Sequence, residues 1–423
     1  MADPELHETH KAVAAAAIGN VLEWYDFGVY VFFAVDIGRN FFPHTGGSVA
    51  LLASFAVFGV GFLARPVGGI VLGRLGDTHG RKLALTLTIT LMAIGTVVIG
   101  ILPTYASVGI AAPVLLVLAR LLQGFSAGGE WGGSTAFMVE WAPERRRGWY
   151  GSWQQCSIAA SLVLSSAVGG IIYSTLAPAA VAGWGWRLPF LGGIVIAAVG
   201  LYLRRQVEET PVYRAYSEQS TKVAAAGRES DFVLGLKAFG FTIHWTVAFY
   251  ILLSYMPTFM RLHGHLTAAD ALWSNTIGLI VLMVLIPPLG ALSDRVGRKK
   301  LLLISCAAFI ILPIPFFRVI LGNPGLAVVV ILQMIFGAAI AFFSGPGPAA
   351  IAELFPTRSR STWMTPAYAL AVAIFGGFAP FIATWLIRLT GSPMAPTYYV
   401  MAAAVVSFLV ILSFRETAHR PLA

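Results

Sequence analysis

Charged side chains are scarce in this sequence. Asp, Glu, Lys and Arg make up 11% of the 423 residues, whereas a typical soluble domain carries about 25%. Hydrophobic residues account for 57%, and the mean hydropathy is +0.79. A chain of this length has too few polar groups to cover its surface in water, so we expect it to lie in a lipid bilayer.

Cysteines and catalytic motifs are also nearly absent. The two cysteines, Cys156 and Cys306, lie inside apolar runs far apart in the chain, which argues against a disulfide or a thiol metal site. No HExxH, GxSxG or metal-spaced His/Cys set occurs, so we expect no enzyme activity, no cofactor and no metal. Met1–His10 is polar and lacks a basic n-region, so we expect no cleaved signal peptide.

Twelve apolar runs are long enough to cross a bilayer, which takes about 20 residues each. They predict an all-α polytopic membrane protein with a six-helix bundle over 1–204, a polar loop over 205–233 and a second six-helix bundle over 234–423. The predicted spans are 12–36, 48–73, 83–103, 112–138, 149–173, 186–204, 234–260, 268–292, 301–321, 325–349, 362–389 and 395–414.

The basic residues predict the orientation of these spans. The formal net charge of +9 comes from short clusters between apolar runs rather than from a basic domain, so we expect no nucleic-acid partner. With both termini inside, 21 of the 28 Lys and Arg residues lie on the cytoplasmic side, and five lie outside. This asymmetry places the N- and C-termini in the cytoplasm.

Two motifs occur once in each half of the chain. G-x-x-x-D-x-x-G-R-K occupies 73–82 and 290–299, and E-x-x-P-x-x-x-R occupies 140–147 and 353–360. Their joint recurrence indicates a duplicated unit, as in transporters built from two similar halves. The acidic residue can approach a helix N-terminus, and the opposite charges can form a latch between halves; simple topology determinants are the alternative. The predicted gating residues are Asp77, Arg81, Glu140, Arg147, Asp294, Arg298, Glu353 and Arg360.

These paired motifs resemble those of the major facilitator superfamily. Further strings resemble its metabolite–proton symporter subfamily, which includes carriers of citrate, 2-oxoglutarate, shikimate and proline/betaine. The resemblance implies two six-helix bundles, alternating access and proton-coupled uptake across a bacterial cytoplasmic membrane. The strings occupy 19–27, 62–68, 120–130, 184–190, 353–356 and 374–377.

Ionisable residues inside spans are costly and usually functional. The first half contains five, and their depths match in pairs: Asp26 or Glu23 with Arg120, and Glu130 with Arg65. Static buried salt bridges are the alternative. We expect a proton on Asp26 or Glu23 to free Arg120 for a substrate carboxylate. The predicted proton-coupling residues are Asp26, Glu23, Glu130 and His244.

Polar and aromatic residues in the spans are candidates for contacting the transported molecule. For His244, Gln154 and Gln155, ordinary packing is an equal alternative. The predicted substrate-binding residues are Arg120, Arg65, Asn20, Tyr30, Gln123, Gln154, Gln155, His244, Tyr250 and Tyr368.

Symport of a small organic acid, a di- or tricarboxylate or a related carboxylate, is the main interpretation. The two buried arginines suit a carboxylate-rich ligand, and the chain ends soon after the last span, unlike osmosensing relatives with a long coiled-coil tail. A zwitterionic osmolyte such as proline or betaine is the alternative, and an aromatic acid stays open. A channel or a sensor is less consistent with duplicated halves. We expect a monomer whose partners are the bilayer, the small molecule and protons.

Overall fold

The computed structural model is all-helical over the residues that it describes. These are 20–21, 24–43, 46–79, 81–128, 130–140, 142–195, 198, 230–356, 360–418 and 420. Glu23 lies outside them, and so do the side chains of Asp77, Arg81 and Glu130. The predictions made for these four residues stay predictions.

The helices of the N-terminal part follow one another with short connections. We number the helical elements that correspond to the twelve predicted spans α1 to α12 in chain order. The first six are α1 (24–41), α2 (Gly47–Leu63 and Arg65–His79), α3 (Arg81–Ile101), α4 (Ala111–Ser126 and Glu130–Glu140), α5 (Arg147–Thr175) and α6 (188–195). Short helices at Tyr105–Val108 and Pro178–Gly183 lie in the connections.

The C-terminal part repeats this arrangement with more interruptions. Two segments of α11 and one of α7 are π-helical, a geometry that is frequent at functional sites. The elements are α7 (Asp231–Phe249, Tyr250–Tyr255 and Met256–His263), α8 (Ala268–Val296), α9 (Arg298–Ile311 and Pro313–Leu321), α10 (Leu326–Ser344 and Gly347–Glu353), α11 (Arg360–Met364, Thr365–Ala371, Val372–Gly377 and Ala379–Thr390) and α12 (Ala395–Leu412).

Membrane-length helices are present, as the sequence predicts. Among the described residues, seven helices are long and apolar enough to cross a bilayer, and the two parts of α9, bent by 43° at Pro313, make an eighth if they form one span. Two shorter apolar helices cover Thr86–Ile101 and Ala111–Ser126. Large apolar side chains such as Ile70 and Val284 are exposed on the outer surface, which suits lipid rather than water.

The N-terminal and C-terminal helices meet along α5 with α8 and α2 with α11. Glycines bring α5 and α8 into backbone contact, because a Cβ at Gly290 would lie 2.5 Å from the carbonyl oxygen of Gly148. Gly290 opens the second copy of the repeated motif. Gly297, in the same copy, ends α8 with φ of +99°, a conformation that L side chains rarely adopt. The motif therefore supplies one glycine for close approach and one for the turn into α9.

Candidate functional site

A small cavity lies between α1, α5, α7 and α11 in the middle of the molecule. Water-sized groups can occupy about 20 Å³ of it, room for about one water molecule, so the cavity is nearly closed in this structure compared with small-molecule sites of roughly 300–1,000 Å³. Aromatic rings form most of the wall. The lining residues are Trp24, Gln155, Ile158, Thr242, Trp245, Thr246, Phe249, Tyr250 and Tyr368.

The aromatic wall is tightly packed. Tyr368 stacks on Trp131 of α4, with ring centroids 3.3 Å apart and an angle of 4° between the planes. Trp245 meets both rings edge-on, each at 6.1 Å, and its Nε1 donates to Ser344 Oγ at 3.0 Å. These contacts fix the rings that line the cavity, and aromatic rings attract cations. We call Trp24, Trp245, Tyr250 and Tyr368 the aromatic box.

Two arginines lie beside the aromatic box, among further rings of α1 and α2. The Arg65 guanidinium lies 5.0 Å from the Trp24 ring centroid and 4.6 Å from that of Phe27. The Arg120 guanidinium lies 4.8 Å from Phe27 and 4.4 Å from Tyr30. Because Trp24 also lines the cavity, Arg65 lies directly behind the cavity wall, and Arg120 adjoins Arg65 through the shared contact with Phe27.

The structure connects Asp26 and Arg120 through two intermediate side chains. Arg120 Nη1 donates to Gln123 Oε1 at 2.8 Å, and Gln123 Nε2 donates to Thr96 Oγ1 at 2.9 Å. The Thr96 hydroxyl donates to the Asp26 carboxylate. The sequence predicts a direct pair of Asp26 and Arg120. The structure replaces it with this chain, because Thr96 of α3 and Gln123 of α4 fill the space between them.

One edge of the Arg120 guanidinium, beside Gly61 of α2, has no acceptor among the described residues. Its Nε and Nη2 are buried and donate to no group among the described residues. These two nitrogens form a fork that suits a carboxylate bound through both oxygens. Nη1 of Arg120 is therefore held by the chain to Asp26, while the opposite edge keeps two donors for an anionic group.

The remaining predicted binding residues take varied positions. Gln155 lines the cavity and donates to Gln154 Oε1 at 2.9 Å. Asn20 donates to Ser157 Oγ at 3.2 Å, and the Tyr30 hydroxyl donates to the Ser54 carbonyl at 3.2 Å. His244 does not line the cavity: it lies against Phe309 and Phe343, with Nε2 3.4 Å from Ser305 Oγ.

Several cavity residues are absent from the sequence-based set. Trp24, Trp245 and Thr246 line the cavity, and Thr96 links Asp26 to Gln123. Trp24 lies two residues before Asp26, so the two do not share a helix face. A threonine or tryptophan in the middle of a span carries no signal in a single sequence. Among the described residues, no set of three or more His, Cys, Asp or Glu could hold a metal ion.

The repeated motifs meet at one end of the molecule, which we call the motif end. Asp294 accepts hydrogen bonds from the backbone N–H groups of Gly148 at 2.8 Å and Trp149 at 3.0 Å. These groups belong to the first turn of α5, where a helix has unpaired donors. Arg298 pairs with Asp294 at 2.7 Å and with Glu353 at 3.2 Å. The second motif thus caps a helix of the first half.

A further ion pair joins the two halves of the chain at the motif end. Arg360, buried at the start of α11, pairs with Glu140 of α4. Its Nε also donates to the Ala352 carbonyl at 2.9 Å. Arg147 instead donates to the backbone carbonyl of Arg420 at 2.8 Å, so the two copies of the E-x-x-P-x-x-x-R motif make different contacts.

The segment after α12 contributes to the motif end. Glu416 accepts from the backbone N–H groups of Arg298 at 2.9 Å and Lys299 at 3.1 Å, which open α9. Burial raises the pKa of the Glu416 carboxyl, but four backbone N–H donors outweigh burial and hold the pKa below its usual value. The carboxylate therefore fixes this segment to α9.

A separate group of side chains connects the halves at the opposite end. The Tyr173 hydroxyl of α5 donates to the buried Asp36 of α1. Arg261 of α7 lies 3.8 Å from Asp36 Oδ2 and donates to the Tyr173 hydroxyl at 3.3 Å. We call these three residues the opposite-end trio. They bring together chain positions that the sequence analysis did not connect.

Comparison with known proteins gives the family. The chain matches the family model of sugar (and other) transporters over residues 12–233 and that of the major facilitator superfamily over residues 238–423. It is 37% identical to a glycine betaine/proline/ectoine/pipecolic acid transporter, OusA, of Dickeya dadantii, with 97% of this chain and 84% of the relative covered. It is 35% identical to the proline/betaine transporter of Escherichia coli K12 over the same shares.

Solved structures support the fold. The proton:xylose symporter XylE matches with a TM-score of 0.78 over 98% of this chain and 97% of that one, at 19% identity. A partially occluded inward-open form of the E. coli xylose transporter matches with a TM-score of 0.77. The chain is therefore a secondary transporter rather than an enzyme, and a multi-pass protein of the bacterial cytoplasmic membrane. It belongs to the major facilitator superfamily and, within it, to the metabolite–proton symporter subfamily.

Proposed function

We propose that this protein imports a small zwitterion, such as proline or glycine betaine, together with protons. The observation that carries the proposal is the aromatic box beside two buried arginines. A zwitterion carries a cationic ammonium and an anionic carboxylate a few ångströms apart. The box suits the ammonium through cation–π attraction, and the free edge of Arg120 suits the carboxylate.

The cavity wall favours this substrate over a di- or tricarboxylate, the main interpretation from the sequence. Aromatic faces carry negative charge density and disfavour anions. The other polar lining side chains, Gln155, Thr242 and Thr246, are neutral. A multiply charged acid would need several cationic donors around it, whereas a zwitterion needs one at one end.

The names of the relatives support the same choice. Both relatives described above are named for transport of proline and betaine. They extend beyond the matched region, since the chain covers 84% of their length. The position of the last residue here therefore does not select an organic acid. The net charge of a zwitterion is zero, so the inside-negative membrane potential drives the proton without opposing the substrate.

The proposed transport cycle follows from the two ends. The helices α1 to α12 form two six-helix bundles, residues 1–204 and 234–423, with the motif end in the cytoplasm. The bundles rock about the cavity, so that the opposite-end trio separates when the site faces outward. The motif-end contacts of Asp294, Glu140 and Arg360 separate when it faces inward. Asp26 accepts the proton that accompanies the substrate.

Uptake into proteoliposomes tests the proposal. Purified protein is reconstituted, an inside-alkaline pH gradient is applied, and uptake of labelled proline, glycine betaine, citrate and 2-oxoglutarate is compared. We expect uptake of at least one zwitterion and none of the acids. Trp245→Ala should reduce that uptake about tenfold or more, because it removes a face of the aromatic box.

The control is Trp184→Ala, since Trp184 is 49% exposed and outside the cavity. It should leave uptake within about twofold of the wild type. Proton-driven uptake of citrate or 2-oxoglutarate without any zwitterion uptake contradicts the proposal.

A further inference from the structure

We infer that Thr96 and Gln123 are positioning residues that transmit the protonation state of Asp26 to Arg120. This inference rests on the proposed proton coupling and adds the physical link within it. The four side chains come from α1, α3 and α4. All are at least nine-tenths buried: Asp26 is 4% exposed, Thr96 1%, and Gln123 and Arg120 0%.

The hydroxyl of Thr96 has two acceptors and one proton. It lies within hydrogen-bond distance of the Asp26 carboxylate and 2.9 Å from the Met92 carbonyl oxygen one turn earlier in α3. A hydroxyl donates one hydrogen bond at a time. When Asp26 is ionised, the proton of Thr96 points to the carboxylate. When Asp26 is protonated, its own O–H can donate to Thr96 Oγ1, and the Thr96 proton turns to Met92.

The direction of the Thr96 proton affects Gln123 and Arg120. With Asp26 ionised, every donor in the chain points from Arg120 through Gln123 and Thr96 toward the carboxylate. Hydrogen bonds aligned in this way polarise and strengthen one another. Protonation of Asp26 removes the negative charge and reverses the hydrogen bond between Thr96 and Asp26. The hydrogen bond from Arg120 Nη1 to Gln123 Oε1 therefore weakens. Arg120 is then free to close on a substrate carboxylate with its Nε–Nη2 edge.

A glycine on α3 creates the space for this link. A Cβ at Gly95 would lie 2.6 Å from Gln123 Cγ. Gly95 directly precedes Thr96, so the absent side chain lets Gln123 approach the hydroxyl. The approach of α3 and α4 at this point is therefore built around the contact between Thr96 and Gln123.

The charged and titratable groups around the link are few among the described residues. Asp26 faces Arg120 from α4 and Tyr25 from its own helix. From α6, Gly193 lies close to Asp26, since a Cβ at Gly193 would lie 3.6 Å from Asp26 Oδ1. Besides Asp26, the groups that face Arg120 are Tyr30, Arg65 and Tyr250.

Substitution at Thr96 separates transmission from packing. Thr96→Val keeps the shape and removes the hydroxyl, and Thr96→Ser keeps the hydroxyl. Thr90→Val is the matched control, because the Thr90 hydroxyl donates only to the Thr86 carbonyl on the same helix. Two transport modes are compared: proton-driven uptake, which needs coupling, and counterflow of substrate without a pH gradient, which needs only binding and rocking.

We expect Thr96→Val to lower proton-driven uptake about tenfold while counterflow stays within about twofold. The pH of half-maximal uptake should rise by about one unit, since the carboxylate loses a donor to its charged form. Thr96→Ser should restore both values. Gln123→Met should give a similar separation, and combining it with Thr96→Val should add little, because both changes break one chain. If Thr96→Val shows the same proton-driven uptake and the same pH dependence as the wild type, the inference is wrong.

A measurement without substrate distinguishes this inference from the proposed function. Infrared difference spectra are recorded as a function of pH. The carbonyl band of protonated Asp26 is identified as the band that is absent in Asp26→Asn. In Thr96→Val, but not in Thr90→Val, the midpoint of this band should move by about one unit. An unchanged midpoint overturns the inference whatever the substrate is. A shifted midpoint in a protein that transports no zwitterion supports the link and overturns only the proposed substrate.

Discussion

The two ends of the molecule hold their halves together in different ways. At the motif end, a carboxylate on α8 caps the first turn of α5, and an ion pair joins α4 to α11. At the opposite end, the trio of Asp36, Tyr173 and Arg261 relies on side chains alone. Backbone donors at a helix start have no partners within their own helix, so opening the motif end also exposes unpaired N–H groups. We therefore expect the motif end to be the harder end to open.

Asp294→Asn should have the largest effect on the opening of the motif end. It removes the charge that accepts from Gly148 and Trp149, and a hydrogen bond to a charged group contributes about 1.5–3 kcal/mol. The ratio of open to closed motif ends should rise about tenfold or more. Distance distributions between spin labels on α5 and α8 measure this ratio.

Asp270→Asn is the control for that experiment. Asp270 takes part in a hydrogen-bonded cap at the exposed start of α8, far along the same helix. It should leave the motif-end distances unchanged. If Asp294→Asn also leaves them unchanged, the cap does not hold this end closed.

Tyr173→Phe tests the opposite end and should have an intermediate effect. It removes the hydroxyl that donates to the buried Asp36 and leaves Arg261 at 3.8 Å as the partner. Loss of one hydrogen bond to a buried carboxylate that keeps its other partner costs about 1 kcal/mol and should therefore favour opening of this end about fivefold. The change is measured by how readily a water-soluble thiol reagent labels a cysteine introduced on the cavity side of the opposite-end trio. Tyr399→Phe is the control, because that hydroxyl bonds within the second half; equal effects in both variants would remove the special role of Tyr173.

Glu140→Gln should have a smaller effect at the motif end. The Glu140 side chain is 39% exposed, so solvent screens its pair with Arg360, and such pairs contribute about 0.2–1 kcal/mol. Arg360 also keeps its backbone acceptors Ala352 and Phe355. The population of the open form, read from the spin-label distances, should rise by no more than a few-fold. Glu144→Gln, at an exposed site nearby, serves as the reference, and a change as large as that of Asp294→Asn would reverse the ranking.

The smallest expected effect is the pH dependence from Glu416. Its pKa is held below the usual value in the folded protein, so its contribution is complete above the unfolded pKa. The contribution is lost as the pH falls through the folded pKa. The thermal stability of the wild type in detergent should therefore fall more between neutral and acidic pH than that of Glu416→Gln. Parallel stability curves for the two proteins would show that this carboxylate does not stabilise the segment after α12.

The two ends also differ in how much of each could be predicted from the sequence. The motif end was predictable, because its residues recur in register and include acids suited to a helix N-terminus. Asp294, Arg298, Glu353 and Arg360 lie in one network or next to it. The opposite-end trio was not predictable, since its residues belong to no repeat.

The membrane location and the two-copy organisation follow from the sequence alone, because composition, span length and repeated motifs are properties of the chain itself. Depth along each span was also predictable, since an α-helix rises by a fixed amount per residue. The predicted levels of Asp26 and Arg120 are consistent with the hydrogen-bonded chain that links them.

Only the tertiary structure decided which side chains stand between them. The rotation of each helix and its distance from its neighbours depend on packing across the whole bundle. These put Thr96 and Gln123 between the acid and the arginine, left His244 away from the cavity, and assembled the aromatic box from α1, α7 and α11. A single sequence gives the face that a residue occupies on its own helix. It does not give the residue on the next helix that this face meets.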